Sequence, residues 1–107
     1  MFRNFVILDS AKEELKDIQK YIKKNFGDLI WNEVNFEYRD AFKFIKHNPD
    51  SGGSIEELKN LGITNVKYKL VRQTRVVYEF DNELILVHMF ISTKRDFGNH
   101  LMKRILD

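Results

Sequence analysis

Apolar and polar positions in the first part of the chain repeat with the period of an α-helix. Between residues 10 and 26 the apolar side chains recur at spacings of four, three and four residues, which places them on one helix face. This stripe consists of Ala11, Leu15, Ile18 and Ile22. Ser10 and Glu13 match a capping box at the start of the helix, and Gly27 is a natural stop.

A second helix is predicted from Asp28, which can cap it, to about His47. Its apolar stripe consists of Trp31, Val34, Tyr38, Ala41, Phe42 and Ile45. It ends at Asn48-Pro49, because proline disfavours helical geometry at the residue before it. Two long helices joined by two residues predict an antiparallel helical hairpin.

From residue 65 onwards the period changes to two, which predicts strands at residues 65–71, 75–80 and 83–92. Turns are expected at Gln73-Thr74 and Asp81-Asn82. The third strand is almost continuously apolar and is therefore expected to be central and covered on both faces. Residues 2–8 predict a further strand, residues 55–61 a short helical turn, and residues 101–106 a terminal helix or extended tail. The predicted fold is α+β: an N-terminal strand, a two-helix antiparallel hairpin and a three-stranded antiparallel meander, with the hairpin packed on the sheet.

Composition limits the class of protein. The 107 residues fit one domain, 1–107, and a hydrophobic content of 43% excludes a disordered chain. With no cysteine, disulfides and cysteine-based zinc sites are excluded, and we expect neither a metal nor a cofactor. The first eight residues do not match a secretory signal, and no apolar run could span a bilayer. A cytoplasmic protein without a membrane partner is therefore expected.

Charge is unevenly distributed along the chain. Residues 1–64 hold 10 Lys and Arg against 11 Asp and Glu, whereas residues 65–107 hold 8 against 5. The positive excess therefore lies in the C-terminal part, where it favours phosphates or an acidic partner.

Four stretches, in this order, resemble the RelE/ParE superfamily of toxins from bacterial type II toxin–antitoxin pairs. LDSAKEELKDIQKYI is similar to the family's first strand and helix, and HNPDSGG to its "P..G" loop after the hairpin. YKLVRQTRVVYEF is similar to its β-hairpin, and LILVHMFISTKRDF to its final strand and basic ending. The likeness covers nearly the whole chain.

The resemblance implies one of two activities. ParE-like members inhibit DNA gyrase and arrest growth, often in plasmid stabilization, without cutting nucleic acid. RelE-like members cut messenger RNA on the ribosome without a metal. In both cases a cognate antitoxin with a flexible tail neutralises the toxin. A non-toxic binding module on the same scaffold is a third hypothesis.

For a RelE-like activity, the resemblance places catalytic groups on the strands and at the basic ending. Basic side chains would stabilise the phosphate charge, and an imidazole would carry a proton. The residues concerned are Lys67, Lys69, Arg75, Arg95 or its neighbour Lys94, and His100. The alternative is structural, with Arg75 and Arg95 paired to Glu79 and Asp96.

The ParE-like interpretation is favoured by the long hairpin and by the RDF ending with its downstream LMKRIL tail. The second helix also carries more aromatic residues than one stripe requires, and exposed aromatics are common interface anchors. The alternative is that these rings fill the core between hairpin and sheet. The expected target-binding residues are Trp31, Lys94, Arg95 and Phe97.

Overall fold

The computed structural model describes residues 3–106, with side chains through Arg104, and has the predicted α+β class. Phe2, part of the predicted first strand, lies outside the described residues. The elements are β1 (Asn4–Ile7), α1 (Asp9–Phe26), α2 (Asp28–His47), a 3-10 turn (Pro49–Ser51), β2 (Gly53–Ser54), α3 (Glu56–Lys59), β3 (Val66–Val71), β4 (Thr74–Phe80), β5 (Leu84–Ser92) and α4 (Phe97–Leu106).

The five strands form one sheet in the order β1-β5-β4-β3-β2. Strands β3, β4 and β5 form the predicted antiparallel meander, and β1 adds parallel to β5, which makes the sheet mixed. Strand β5 is an interior strand covered on both faces, but β4, and not β5 as predicted, holds the central position. Strand β1 pairs only with the first half of β5, Leu84 to Val87. Its second half, from His88 to Ser92, is paired with β4 alone and forms a free edge.

A β-bulge in β5 separates its two halves. Val77 is paired with Met89 and Tyr78 with Val87, so His88 is the extra residue on β5. The His88 imidazole Nε2 lies 2.8 Å from a carboxylate oxygen of Glu79. Because of this extra residue, the odd-numbered side chains that point to one face of the sheet before the bulge point to the other face after it.

The helical hairpin packs on one face of the sheet, as its apolar stripes predict. Gly27 joins the two helices at a φ of 90°, a conformation that favours glycine. The predicted side-chain caps are wrong: α1 begins one residue earlier than Ser10, and neither helix has a side-chain cap. The main core consists of Ala11, Trp31, Val34, Tyr38, Ala41, Ile45, Val71, Val76, Tyr78, Ile85, Val87 and Phe90.

The opposite face of the sheet is covered by α3 and α4. The predicted tail is a helix that begins at Phe97, four residues earlier than expected, because the Asp96 carboxylate accepts hydrogen bonds from the backbone and side chain of Asn99. This second core consists of Ile55, Leu58, Val66, Val77, Met89, Ile91 and Leu101. The helices are therefore not confined to one face.

The loop after α2 is attached to the main core through Tyr78. Its hydroxyl donates to the carbonyl of Pro49 at 2.5 Å, and burial raises the pKa of Tyr78 to about 12. A Cβ at Gly52 would overlap this hydroxyl. Gly52, the first glycine of the HNPDSGG stretch, is therefore required because any side chain there would overlap the Tyr78 hydroxyl.

The turn between β3 and β4 lies one residue earlier than predicted, at Arg72-Gln73. Arg72 has a φ of 53°, and its guanidinium Nη2 lies 2.7 Å from a carboxylate oxygen of Glu37 on α2. Pairing with Glu37 raises the pKa of Arg72. The ion pair ties this turn to the hairpin. No helix in the described part of the chain is long and apolar enough to cross a membrane.

Candidate functional site

The lysines predicted for RNA cleavage lie on the sheet face that carries the hairpin. They alternate along β3 with Val66 and Tyr68, which belong to the second core. Lys69 Nζ lies 4.4 Å from the centre of the Phe44 ring on α2. Lys67 has the same orientation on the strand, so both lysines point away from the face covered by α4.

Arg75 lies on the opposite face, enclosed by aromatic rings. Its guanidinium carbon is 5.5 Å from the ring centre of Tyr68 and 4.6 Å from that of Phe97. Its Nη1 is buried and has no hydrogen-bond partner among the described residues. The alternative pairing of Arg75 with Glu79 is not formed, because the Glu79 carboxylate contacts His88. The sheet therefore separates Arg75 from the two lysines.

Two residues of the basic ending are exposed to solvent, and the next two make contacts within the fold. Lys94 and Arg95 are exposed in the turn between β5 and α4, whereas Asp96 caps α4 and Phe97 packs over Arg75. Arg95 does not pair with Asp96. His100, one turn into α4, is exposed and lines the same groove as Arg95.

Trp31 is not a surface residue. It is 8% exposed and fills the core between hairpin and sheet, so the structure corrects its interpretation as an exposed anchor. Phe97 is half-buried against Arg75. The large apolar side chains on the surface of the hairpin are Tyr21, Phe26, Leu29 and Phe36. Of these, Tyr21 and Phe26 lie outside the predicted apolar stripe of α1. Their position off the stripe was the signal in the sequence that they are exposed.

An apolar groove of about 580 Å³ runs between the second half of α1, the first half of α2 and the β3–β4 turn. Tyr21 and Phe26 form its rim and are 62% and 61% exposed. Its walls include Ile18, Ile22, Ile30, Val34 and Val71. An exposed concave apolar surface on a small domain is typical of a protein-binding site.

A polar groove of about 630 Å³ continues from the apolar one, and Asp17, Ile18, Thr74 and Ser92 line both. It lies between α1 and α4, above the free edge of β5. Its charged walls are formed by Glu14, Asp17, Arg95, His100, Lys103 and Arg104. Within residues 3–106 no group of three His, Asp or Glu side chains is placed to hold a metal ion.

An ion pair crosses the inner end of the polar groove. Arg104 on α4 contacts both carboxylate oxygens of Glu14 on α1, each at 3.1 Å. Glu14 also accepts the backbone N–H of Phe90 at 3.1 Å, and Arg104 donates to the carbonyl of His88 at 3.0 Å. The two side chains thus bind the backbone of β5 where a neighbouring strand would bind it.

A sequence comparison and a structural comparison with known proteins agree with each other. The sequence model of the ParE toxin of the type II toxin–antitoxin system parDE matches residues 5–97. Ten chains of solved structures match. One, described as the chromosomal ParDE TA system from P. aeruginosa, has a TM-score of 0.66, covering 84% of this chain and 95% of that chain at 9% identity. No curated protein sequence matches.

At 9% identity the structural match establishes the shared fold. The family match extends from β1 to the first residue of α4, and so includes the hairpin, the sheet and the basic ending. The chain therefore belongs to the ParE toxin family of type II toxin–antitoxin systems.

Proposed function

We propose that this protein is a single-domain toxin, residues 1–107, that inhibits DNA gyrase without cutting nucleic acid. The observation that carries this proposal is the separation of Lys67 and Lys69 from Arg75 on opposite faces of the sheet. A metal-free nuclease needs its charges directed at one phosphate, and here they point in opposite directions. The toxin would act in the cytoplasm, where gyrase is found, and would serve plasmid stabilization when encoded on a plasmid.

The RelE-like alternative retains two of its predicted groups. Arg95 and His100 share the polar groove, and this is the observation that favours RNA cleavage. Arg75 would join them only if α4 left the sheet, because Phe97 covers its guanidinium. The ParE-like function requires no such rearrangement and is therefore the better supported of the two.

We place the contact with gyrase on the outer surface of the molecule. Phe36 takes the role predicted for Trp31, since it is 70% exposed on α2. Leu29, seven residues earlier on the same helix face, is 80% exposed. Lys94 and Arg95 remain proposed target-binding residues.

The proposed antitoxin docks in the apolar groove with an amphipathic helix. A helix-in-groove complex buries apolar side chains at helical spacing in a preformed apolar channel, which is the shape found between α1 and α2. Docking there would also bury Tyr21 and Phe26, whose rings contact each other at 6.3 Å between centres.

The function is tested by three assays on the same protein. Expression without an antitoxin should arrest growth, and the purified protein should inhibit supercoiling by gyrase while ribosome-bound messenger RNA stays intact. Unaffected gyrase together with cleaved messenger RNA would overturn the proposal, and normal growth would favour a binding module.

The variant His100→Gln separates the two toxic mechanisms. His100 is exposed and lies outside the proposed gyrase contact, so the variant should keep full gyrase inhibition. Loss of toxicity in a folded His100→Gln protein would point to proton transfer and hence to the nuclease. Lys59→Gln, an exposed change on α3, is the matched control.

A further inference from the structure

Acidic and basic side chains of the helical hairpin point in different directions. On α1, the carboxylates of Glu14 and Asp17 line the polar groove, on the side of α4. On α2, the carboxylates point to the opposite side of the hairpin, toward β3 and the β3–β4 turn; they belong to Glu33, Glu37 and Asp40. The outer surface between these two sides faces away from the sheet and carries mainly basic residues.

Six exposed basic side chains share this outer surface, which we call the basic face. On α1 they recur every three or four residues, which places them on one side of the helix, and α2 contributes two more at a spacing of four. The members are Lys12, Lys16, Lys20, Lys23, Arg39 and Lys43. Because α1 and α2 pack against each other, the two rows lie side by side, and the row on α1 is about 16 Å long.

Few carboxylates neutralise the basic face. Within the described residues, only Lys16 of the six forms an ion pair, with Glu13 at 3.5 Å, and solvent screens this exposed pair. Asp9 and Asp28 begin the two antiparallel helices, so they lie at opposite ends of the hairpin, where each offsets the positive end of a helix dipole. Like charges four residues apart destabilise a helix, and a bound polyanion would remove that repulsion.

The composition of the basic face favours a phosphate backbone over a protein or a membrane. Lysine is depleted at protein–protein interfaces, whereas lysine and arginine are the usual contacts to nucleic-acid phosphates. None of the six residues lines the apolar or the polar groove, so the face offers no part of either groove to a peptide. A helix that binds a membrane inserts its apolar side, but the apolar stripe of α1 packs against the main core.

We propose that the basic face binds the phosphate backbone of duplex DNA without reading its sequence. This inference rests on the proposed function and deepens it: the toxin would hold the DNA on which gyrase acts, while Phe36, exposed on α2, contacts the enzyme. A DNA duplex carries one negative charge per about 1.7 Å of its axis, so a row of lysines about 16 Å long spans several phosphates.

Binding is tested with the full chain and a short fluorescent DNA duplex, in the absence of gyrase. The affinity should fall at least about 100-fold between about 50 and 200 mM salt, as expected for roughly four phosphate contacts. A change of the duplex sequence should alter the affinity by less than about twofold, because phosphate contacts carry no sequence information. Polyglutamate with the same number of charges should bind at least about tenfold more weakly, because an extended peptide spaces its charges about 3.3 Å apart. Anionic phosphatidylglycerol vesicles should also bind more weakly than the duplex.

Two double variants that remove the same charge locate the interaction. Lys16→Gln with Lys20→Gln should weaken DNA binding at least about tenfold and lower the salt slope by roughly two. Lys59→Gln with Lys103→Gln, exposed changes on α3 and α4, is the matched control and should leave the salt slope unchanged. Urea unfolding should show no loss of stability in Lys16→Gln with Lys20→Gln, since the substitutions reduce repulsion along α1.

A gyrase supercoiling assay distinguishes failure of this inference from failure of the proposed function. Lys16→Gln with Lys20→Gln should require a severalfold higher concentration for half inhibition, whereas the control should not. Inhibition of gyrase by a protein that does not bind the duplex, or equal DNA binding by the two double variants, would overturn the basic face alone. Tighter binding of polyglutamate or of vesicles would overturn it in favour of an acidic protein or a membrane. DNA binding by a protein that does not inhibit gyrase would support the basic face and overturn the proposed function.

Discussion

At the scale of single residues, a few positions have roles that their type alone would not indicate. Gly52 leaves the space through which Tyr78 reaches Pro49, and Arg72 adopts a positive φ while pairing with Glu37. Arg75 is held by two rings in place of a carboxylate. In each case the constraint comes from a residue that is distant in the sequence.

The contact between Gly52 and Tyr78 predicts non-additive mutations. Gly52→Ala should destabilise the protein by about 1–3 kcal/mol, since an added methyl group displaces the buried hydroxyl. Tyr78→Phe should cost about 1–3 kcal/mol, because the buried Pro49 carbonyl loses its donor. The double variant should cost less than the sum, because the overlapping hydroxyl is gone.

Urea unfolding of the two single variants and the double variant measures this coupling. Gly98→Ala is the control: a Cβ there meets only the carboxylate end of the Glu57 side chain, and alanine favours the helix. It should be neutral or stabilising. Additive costs for Gly52→Ala and Tyr78→Phe would show that the hydroxyl is not what excludes a side chain at position 52.

At the scale of elements, α4 depends on its first turn. Asp96 provides the cap, Phe97 covers Arg75, and Arg104 near the other end reaches Glu14. Asp96→Ala should therefore cost about 0.5–2 kcal/mol, as loss of a helix N-cap does. Asp96→Asn should restore most of the loss, since asparagine caps equally well.

The effect on α4 can be read locally by amide hydrogen exchange. In Asp96→Ala the amides of Leu101 and Met102 should exchange faster, while those of β4 stay protected, because only the helix end loses a partner. Unchanged exchange in α4 would show that packing of Leu101 alone holds the helix.

Periodicity predicted the long elements because a continuous apolar stripe must face a core. Both hairpin helices and the interior position of β5 were predicted in this way, although the central strand is β4. The caps were not, since Ser10 and Glu13 offered a local pattern that the chain does not use. The parallel pairing of β1 with β5 depends on tertiary contacts and has no local signal.

The position of Arg75 on the opposite face of the sheet from Lys67 and Lys69 could have been inferred from the sequence. A two-residue turn pairs Arg75 with an even-numbered residue of β3, as observed with Leu70, and paired residues share a face. Lys67 and Lys69 are odd-numbered and must point to the other face. The grooves, by contrast, arise from several elements each and could not be predicted from one segment.

At the scale of the whole molecule, the two grooves form one channel from the tip of the hairpin to α4. The outer face of α2, with Phe36, points elsewhere and is not among the residues that line the channel. Apart from Arg95, which lines the channel and is also a proposed gyrase contact, the toxin therefore has separate surfaces for the two proteins that we propose it binds.

Two sets of changes should separate the proposed partners. Tyr21→Ser with Phe26→Ser should weaken binding of the cognate antitoxin at least about tenfold, because the rim of the apolar groove loses its rings. It should leave gyrase inhibition intact. Phe36→Ser should do the reverse. All three side chains are mostly exposed, so stability should change by only about 0.5 kcal/mol.

Calorimetry with the antitoxin and a supercoiling assay give the two readouts. If Tyr21→Ser with Phe26→Ser affects neither assay, the apolar groove is not the docking site of the antitoxin. If Phe36→Ser weakens both assays equally, the two partners share one surface.

The bulge at His88 also determines how the chain tolerates insertions and deletions. Removal of this one residue would bring β5 back into simple alternation without exchanging the faces of later positions, because Val77 already pairs with Met89 and Tyr78 with Val87. Met89 and Ile91 would still face α4, and Phe90 would still face the hairpin. A change of length elsewhere between β4 and β5, without a compensating bulge, would move the rest of the strand into the wrong layer. Gaps between related sequences should therefore fall in the loops or at His88.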